Sequence, residues 1–211
     1  MVFYSFISLS FLFKFFVSFF LFLFGLKILR KLLFTDKSIM IILGSGGHTG
    51  ELILMLKKLN FSKFSNCYFI SAFSDINSDN KVKENFILDS FKNTKFHFIK
   101  IYRCREIGQS ALSSVISTII ALFHSLYIIL LTRPSIIVTN GPGTAVPLVL
   151  IGYILKKLFI LIECKIMFIE SYCRSKCLSR TGLILSYISD KFIVLWEDLK
   201  GGNREYLGKI L

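Results

Sequence analysis

The sequence predicts an α/β fold, a Rossmann-like parallel sheet covered by helices and preceded by an N-terminal transmembrane helix. Three observations lead to this prediction. Six short apolar runs alternate with stretches of helical periodicity, as is typical of parallel sheets. A glycine-rich turn joins the first run to the helical pattern that follows it, and residues 2–26 contain a single charged side chain, Lys14.

Residues 1–34 are predicted to form a membrane anchor. A spanning helix needs about 20 apolar residues, and the uncharged run is long enough. No basic segment precedes it and no small-residue cleavage site follows it, which favours an uncleaved anchor over a signal peptide. The basic residues after it place the C-terminal side in the cytosol by the positive-inside rule: Lys27, Arg30, Lys31 and Lys37. A helix lying in the interface is the alternative.

Residues 35–211 are predicted to form one cytosolic domain. Its strand-like runs are Ile39–Leu43, Cys67–Ser71, Phe96–Ile101, Ser135–Val138, Ile166–Ile169 and Lys191–Leu195. Its helical patterns are Thr49–Leu59, Asp79–Phe91, Ser110–Leu131, Ala145–Lys157 and Leu178–Ser189. The third helix lies in an uncharged run, 107–131, but serines and threonines form a stripe along it. This pattern favours a helix packed on the sheet, or lying at the membrane surface, over a second span.

The turn after the first strand reads Gly44-Ser45-Gly46-Gly47-His48. Glycines let the backbone approach a ligand, and the free N–H groups of the following helix favour a phosphate or diphosphate. A turn that serves only to pack the helix on the sheet is the alternative. His48 is a candidate for proton transfer or a phosphate hydrogen bond. Glu51 is expected in the first helical turn, where a carboxylate interacts favourably with the helix dipole.

Three further loops follow strands of the predicted sheet and therefore share the edge where ligands bind. The first carries Arg103 and Arg105, which would point the same way if the strand continues, an arrangement that suits two oxygens of one phosphate group. The second is Asn140-Gly141-Pro142-Gly143-Thr144, in which Thr144 is placed to cap the next helix. The third begins at Glu170, a possible general base or an ion-pair partner of Arg174. The alternative is that these loops are merely solvated.

The composition limits the possible partners. A formal net charge of +13 favours anionic partners such as lipid headgroups or phosphates. The five cysteines are odd in number and match no zinc spacing, which indicates free thiols in a reducing compartment. Charge alone suggests nucleic acid, and the chain has no recognised nucleic-acid-binding motif, so no such partner is expected. Neither a cofactor nor a metal site is predicted.

Several motifs occur in a characteristic order: LGSGGHTGE, Arg103–Glu106, NGPGT, the segment from Glu170, Ser189–Trp196 and Tyr206–Gly208. In this order they resemble the membrane-anchor subunit of the eukaryotic UDP-N-acetylglucosamine (UDP-GlcNAc) transferase that acts on dolichyl diphosphate N-acetylglucosamine. The resemblance runs from about Ser38 to the C-terminus. It implies the acceptor-side half of a GT-B glycosyltransferase in the endoplasmic reticulum membrane, with the donor-nucleotide half supplied by a separate small catalytic subunit.

The resemblance also implies residue roles. Gly44, Ser45, Gly46, Gly47, Arg103, Arg105, Asn140, Gly141, Gly143 and Thr144 would bind the acceptor diphosphate, and His48 and Glu170 would be the catalytic candidates. A single-chain bacterial relative has a His-Glu segment that resembles the region of Glu170. This chain has Ile169 in place of that histidine, so a role for Glu170 rests on the Glu alone. A pure scaffold for the catalytic subunit is the alternative function.

The C-terminus is expected to dock on that subunit. The residues concerned are Tyr206, Leu207, Ile210 and Leu211. They are too apolar for a solvated tail, and aromatic side chains often anchor interfaces. The alternative is that this segment folds back on the chain's own sheet.

Overall fold

The computed structural model describes residues 13–22, 24–25, 37–86, 91–105 and 108–208. The chain divides into two compact units, Met1–Thr35 and Asp36–Leu211. In the first unit the described residues form an apolar helix, α1 (Phe13–Phe22). Most of the predicted anchor, residues 1–34, lies outside the described residues, as do Ile210 and Leu211 of the predicted docking segment.

The described part of the second unit contains one sheet of seven parallel strands. They are β1 (Ser38–Ile42), β2 (Asn66–Ala72), β3 (Lys95–Ile101), β4 (Ile136–Thr139), β5 (Lys165–Ile169), β6 (Lys191–Val194) and β7 (Arg204–Tyr206). Their order is β3-β2-β1-β4-β5-β6-β7. Strands β2 and β3 therefore lie on one side of β1, and strands β4 to β7 lie on the other. The Rossmann-like parallel sheet predicted from the sequence is confirmed, and β7 is a strand the sequence analysis did not identify.

Five helices connect the strands: α2 (Gly47–Leu56), α3 (Asn77–Asn85), α4 (Ala111–Thr132), α5 (Ala145–Lys157) and α6 (Arg180–Leu185). Helix α5 has the predicted bounds. Helix α6 is shorter than its pattern at both ends: Ser179 caps its start, accepting a hydrogen bond from the Gly182 amide at 2.9 Å, and the helix ends at Leu185. Short 3₁₀ turns occupy Phe61–Lys63 and Glu197–Leu199.

The core lies on both faces of the sheet. Strand β1 is buried throughout, and its side chains alternate between the faces, as the period of a strand requires. Ile39 and Ile41 belong to the cluster beneath α2 and α3, whereas Met40 and Ile42 belong to the cluster beneath α4, α5 and α6. Burial of the central strand on both faces is the hallmark of a doubly wound sheet.

Helix α4 packs on the sheet but leaves a long apolar face exposed. Its buried side chains include Ala121, Ser125, Ile128 and Ile129. The Ser117 and Thr118 hydroxyls donate to the Cys104 carbonyl at 2.7 and 3.3 Å, so part of the serine and threonine stripe faces the body of the domain. The exposed side chains are large and apolar: Leu112, Val115, Ile116, Ile119, Ile120, Phe123, Tyr127, Leu130 and Leu131. Among the described residues α4 is the one helix whose length and composition would allow it to cross a membrane.

Candidate functional site

The strand order reverses between β1 and β4, which are neighbours in the sheet although many residues separate them in sequence. Ligands of doubly wound sheets bind at such a switch point, beyond the carboxyl ends of the strands. The two glycine-rich turns predicted to form the site, Gly44–His48 and Asn140–Thr144, follow these two strands. The fold therefore brings them together.

The two turns approach each other closely. A Cβ atom added to Gly44 would lie 2.7 Å from Cβ of Pro142 and 2.8 Å from Cβ of His48, so only glycine fits at this position. Gly46 has φ +68°, a conformation that costs glycine little and other residues more. It precedes α2 and contributes no side-chain cap, which leaves the first backbone N–H groups of the helix for solvent or a ligand.

A cavity of about 300 Å³ lies at this edge of the sheet. Its lining contains most of the predicted diphosphate-binding residues, namely Ser45, Arg103, Arg105, Gly141, Gly143 and Thr144, together with His48, Cys104 and Pro142. Arg103 Nη2 donates to Ser45 Oγ at 2.9 Å. The two arginines thus line the same cavity, although β3 ends at Ile101 and they belong to the loop after it rather than to a continued strand. Gly44, Gly46, Gly47 and Asn140 lie outside this lining.

The chemistry of the lining suits an anion. Two guanidinium groups are always charged and form strong hydrogen bonds to phosphate oxygens. Burial raises the pKa of the Cys104 thiol, against the effect of a backbone hydrogen bond, so this cysteine adds no negative charge at neutral pH. At the low end of ligand-pocket volumes, roughly 300–1,000 Å³, the cavity can enclose a small charged group and part of what is attached to it.

His48 and Asn140 are linked across the two turns. Asn140 is fully buried, and its Nδ2 donates to the His48 carbonyl at 2.6 Å. In the part of the chain that the structure describes, His48 Nδ1 and Asn140 Oδ1 are buried without a hydrogen-bond partner. Unsatisfied buried polar atoms are uncommon in native proteins, and two at one site indicate that a ligand or water completes it.

Behind the first turn is a polar network that the sequence analysis missed. The hydroxyls of Thr49 and Ser78 both donate to the Gly44 carbonyl, and Asp75 accepts from the Ser78 amide at 3.1 Å. Lys100 donates to the Asp75 carbonyl at 2.7 Å. These bonds tie the turn to α3 and β3. The only signal in the sequence was the polar loop beginning at Ser74.

Two of the sequence-based details are wrong. Glu51 lies beyond the first turn of α2, which begins at Gly47 and contains no acidic residue there. Thr144 precedes α5 as expected, but its side chain makes no capping hydrogen bond. The first error comes from the start of α2, which sequence patterns place only to within a few residues. The second comes from the backbone of Thr144, which has helical angles (φ −65°, ψ −18°) rather than the extended conformation typical of a capping residue.

Glu170 does not face the cavity. It is fully buried; one carboxylate oxygen accepts from the Ser171 amide at 3.1 Å, and the other accepts from the Ser179 amide and hydroxyl at 3.0 and 3.3 Å. A Cβ atom on Gly182 would overlap this second oxygen. These contacts join the end of β5 to the start of α6 and satisfy the carboxylate without Arg174. A catalytic role for Glu170 remains a prediction.

The comparisons with known proteins agree with this geometry. The family model described as "Oligosaccharide biosynthesis protein Alg14 like" matches residues 39–210. The chain belongs to the Alg14 family. The UDP-N-acetylglucosamine transferase subunit ALG14 of Candida albicans is 40% identical over 184 residues, with 86% of this chain and 82% of the relative covered. The human subunit of the same name is 37% identical over 182 residues, covering 82% of this chain and 83% of the relative.

The fold also has a solved counterpart. The crystal structure of MurG from Acinetobacter baumannii aligns with a TM-score of 0.57 at 14% identity, over 82% of this chain and 45% of MurG. The chain thus matches a little under half of MurG, a GT-B protein. This likeness confirms the predicted fold, a half of the GT-B architecture.

The contacts of Glu170 lead to a prediction about stability. In Glu170→Gln the side-chain N–H₂ would face the N–H and O–H groups that donate to the carboxylate. At least one of these buried donors would lose its acceptor, at a cost of about 1–3 kcal/mol. Chemical denaturation of the full-length chain in detergent should therefore show a lower free energy of unfolding, and Ser179→Ala should also lower it because it removes the helix cap. Unchanged stability of Glu170→Gln, with reduced sugar transfer, would instead point to a part in the chemistry.

Proposed function

We propose that this protein is the membrane-anchoring, acceptor-binding subunit of a two-subunit UDP-GlcNAc transferase. The reaction is addition of the second GlcNAc to GlcNAc-diphosphodolichol, in the synthesis of lipid-linked oligosaccharide for protein N-glycosylation. The observation that carries the proposal is the cavity between the two glycine-rich turns, lined by Arg103 and Arg105, in a chain whose relatives are named as subunits of a UDP-GlcNAc transferase.

The cavity supports binding of the acceptor diphosphate. Arg103 and Arg105 supply fixed positive charge, and the turns supply backbone N–H groups at the start of α2. An added Cβ at Gly143 meets no protein atom within 4 Å, so the space beside it is open to a ligand. In this proposal His48, which lies in the same lining, contacts the acceptor or moves a proton.

The exposed face of α4 supports a position against the membrane. Soluble monomers rarely expose apolar patches larger than a few hundred Å², whereas this helix presents one along 22 residues. Burial lowers the pKa of His124, so the helix carries no charge at neutral pH. Cys104, whose carbonyl accepts a hydrogen bond from Ser117 of α4, is among the residues that line the cavity. A lipid-linked diphosphate could therefore reach the cavity directly from the bilayer.

The membrane would be that of the endoplasmic reticulum, with a single span near the N-terminus and the C-terminal domain in the cytosol. Lys27, Arg30 and Lys31 after the apolar segment support this orientation. Contacts of Ala121, Ile128 and Ile129 with the core favour α4 lying on the membrane surface rather than crossing it. A crossing at α4 would also separate Gly44–His48 from Asn140–Thr144.

The proposed partner is the small catalytic subunit, which would bind the nucleotide sugar. The C-terminus is the proposed docking segment. Tyr206 belongs to β7 and packs against the core. It therefore follows the alternative of the sequence analysis, in which this residue folds back on the chain's own sheet. Leu207 follows the strand and is 55% exposed, so it remains available for docking. The second candidate function is a pure scaffold, which would recruit the catalytic subunit without binding the acceptor.

Substitution in the cavity should separate the two functions. In Gly143→Val a branched side chain enters the space proposed for the diphosphate. The KM for a short-chain diphosphate acceptor should therefore rise at least about tenfold. This magnitude corresponds to the loss of one good hydrogen bond to a charged group. Co-purification of the catalytic subunit should be unchanged. Gly50→Ala is the control because its Cβ also meets open space. Normal acceptor kinetics in Gly143→Val would favour the scaffold.

The membrane role of α4 can be tested without residues 1–34. The shortened chain should float weakly with phosphatidylcholine vesicles. Ile116→Asp with Phe123→Asp should abolish flotation, since losing two inserted apolar side chains costs about 3 kcal/mol, on the order of a hundredfold in partitioning. Leu54→Asp, on α2 at the other face of the sheet, should float like the unsubstituted chain. Equal flotation of all variants would refute the role of α4, and resistance of the shortened chain to carbonate extraction would refute the single span.

Removal of Leu207–Leu211 should leave β7 and the fold intact but prevent retention of the catalytic subunit. The reason is that the apolar side chains of this segment would no longer be available for burial against the partner. Co-precipitation and circular dichroism of the truncated full-length chain would be measured together. Full recovery of the partner would contradict docking through the tail, and loss of the helical spectrum would show that the tail stabilises this chain's own sheet.

A further inference from the structure

Glu51 occupies an unusual position in the site. Its Oε1 accepts a hydrogen bond from Ser171 Oγ at 3.0 Å and lies 3.7 Å from Cys173 Sγ, and its Oε2 lies 3.5 Å from Asn140 Nδ2. The carboxylate therefore joins α2 to the loops after β4 and β5. The residue is half-buried, in contrast to the fully buried Glu170, and it is not among the residues that line the cavity.

The carboxylate is surrounded by neutral donors. Within the ranges that the structure describes, the ion pairs are Lys100–Asp79, Lys156–Asp190 and Lys191–Glu205, and Glu51 is in none of them. In a chain with a formal net charge of +13, an acidic group in the site without a cationic partner is unexpected from composition. The contacts of this carboxylate with the described residues come from a serine hydroxyl, a cysteine thiol and an amide, and none of these groups is a cation.

The sheet order separates Glu51 from the arginines. Arg103 and Arg105 follow β3, on one side of the switch point, and Ser171 follows β5, on the other side. His48 lies between them, in the cavity lining. Glu51 is three residues further along α2, hence on the same face of the helix as His48. Along this edge of the sheet the two arginines therefore lie on one side of His48, and the Glu51 carboxylate lies on the other.

This arrangement would orient a lipid-linked sugar diphosphate. Its anionic part would lie beside the arginines, because a diphosphate next to Glu51 would be repelled. The neutral sugar would then extend toward the β5 side. His48, within the cationic cavity, would contact phosphate, and the Glu51 carboxylate would lie on the side of the sugar.

We propose that Glu51 is the catalytic base for the acceptor sugar, an inference that rests on the proposed function. Its carboxylate takes the proton of the acceptor hydroxyl as the oxygen's electron pair forms the bond to C1 of the donor GlcNAc. The bond from C1 to the diphosphate of UDP breaks, and UDP leaves with that electron pair. Ser171 and Asn140 hold the carboxylate in place. Glu170 differs from Glu51 in that it is fully buried and accepts its hydrogen bonds from the end of β5 and the start of α6.

The test uses the full-length chain co-purified with the catalytic subunit. Transfer from UDP-GlcNAc to a phytanyl-diphosphate GlcNAc probe is measured for the unsubstituted pair and for Glu51→Gln. The amide keeps an oxygen for Ser171 and the shape of the side chain but cannot take the proton. We expect kcat to fall by about 10²–10⁴, with the KM for the lipid probe changed less than about threefold, as when an interaction confined to the transition state is removed.

Glu51→Ala and Glu84→Gln complete the experiment. Added formate should partly restore kcat in Glu51→Ala, because the small carboxylate can enter the vacated space and accept the proton. Glu84 is exposed on α3, and its replacement should leave kcat unchanged. A normal turnover rate of the Glu51→Gln pair would overturn the proposal. A fall in kcat would also overturn it if the variant loses the catalytic subunit or thermal stability and formate does not restore activity in Glu51→Ala. Failure of the unsubstituted pair to use the probe refutes the proposed function itself.

Discussion

The close packing of Gly44 against Pro142 is the contact on which the site depends. A side chain at residue 44 would lie 2.7 Å from the proline Cβ, so the two turns can meet only because this position is glycine. Once they meet, Asn140 reaches the His48 carbonyl and holds the two turns together. The cavity forms beyond this contact, and Arg103 and Arg105 reach it from β3.

The same contact explains why so much polar structure lies behind the first turn. Because Gly44 has no side chain, side-chain packing cannot hold its backbone in position, and hydrogen bonds must do so. Thr49 and Ser78 supply that fixation by donating to the Gly44 carbonyl, and Lys100 connects this network to β3. A site held by buried hydrogen bonds is preorganised, which lowers the cost of ordering it when a ligand binds.

The two glutamates illustrate how the surroundings of a residue decide its role. Glu170 ends a strand at the edge where ligands bind, yet its carboxylate points back toward α6 and is saturated by backbone and serine donors. Glu51 belongs to a helix, and the sequence predicted for it only an interaction with the helix dipole. Its carboxylate nevertheless accepts a hydrogen bond from a serine 120 residues away in the chain. Burial and hydrogen bonding, rather than position along a motif, separate a carboxylate that stabilises the fold from one that is able to react.

The sequence by itself determined the parallel sheet, six of its strands, the helix faces and the loops that share one edge, because hydrophobic periodicity and turn chemistry are properties of neighbouring residues. It did not determine how Arg103 and Arg105 reach one cavity, because β3 ends at Ile101 and the alternation of side chains along a strand does not extend to them. Only the tertiary structure decided which carboxylate is accessible, that Tyr206 joins the sheet as β7, and that α4 turns its apolar face outward. Each of these depends on partners distant in the chain, and no local pattern contains them.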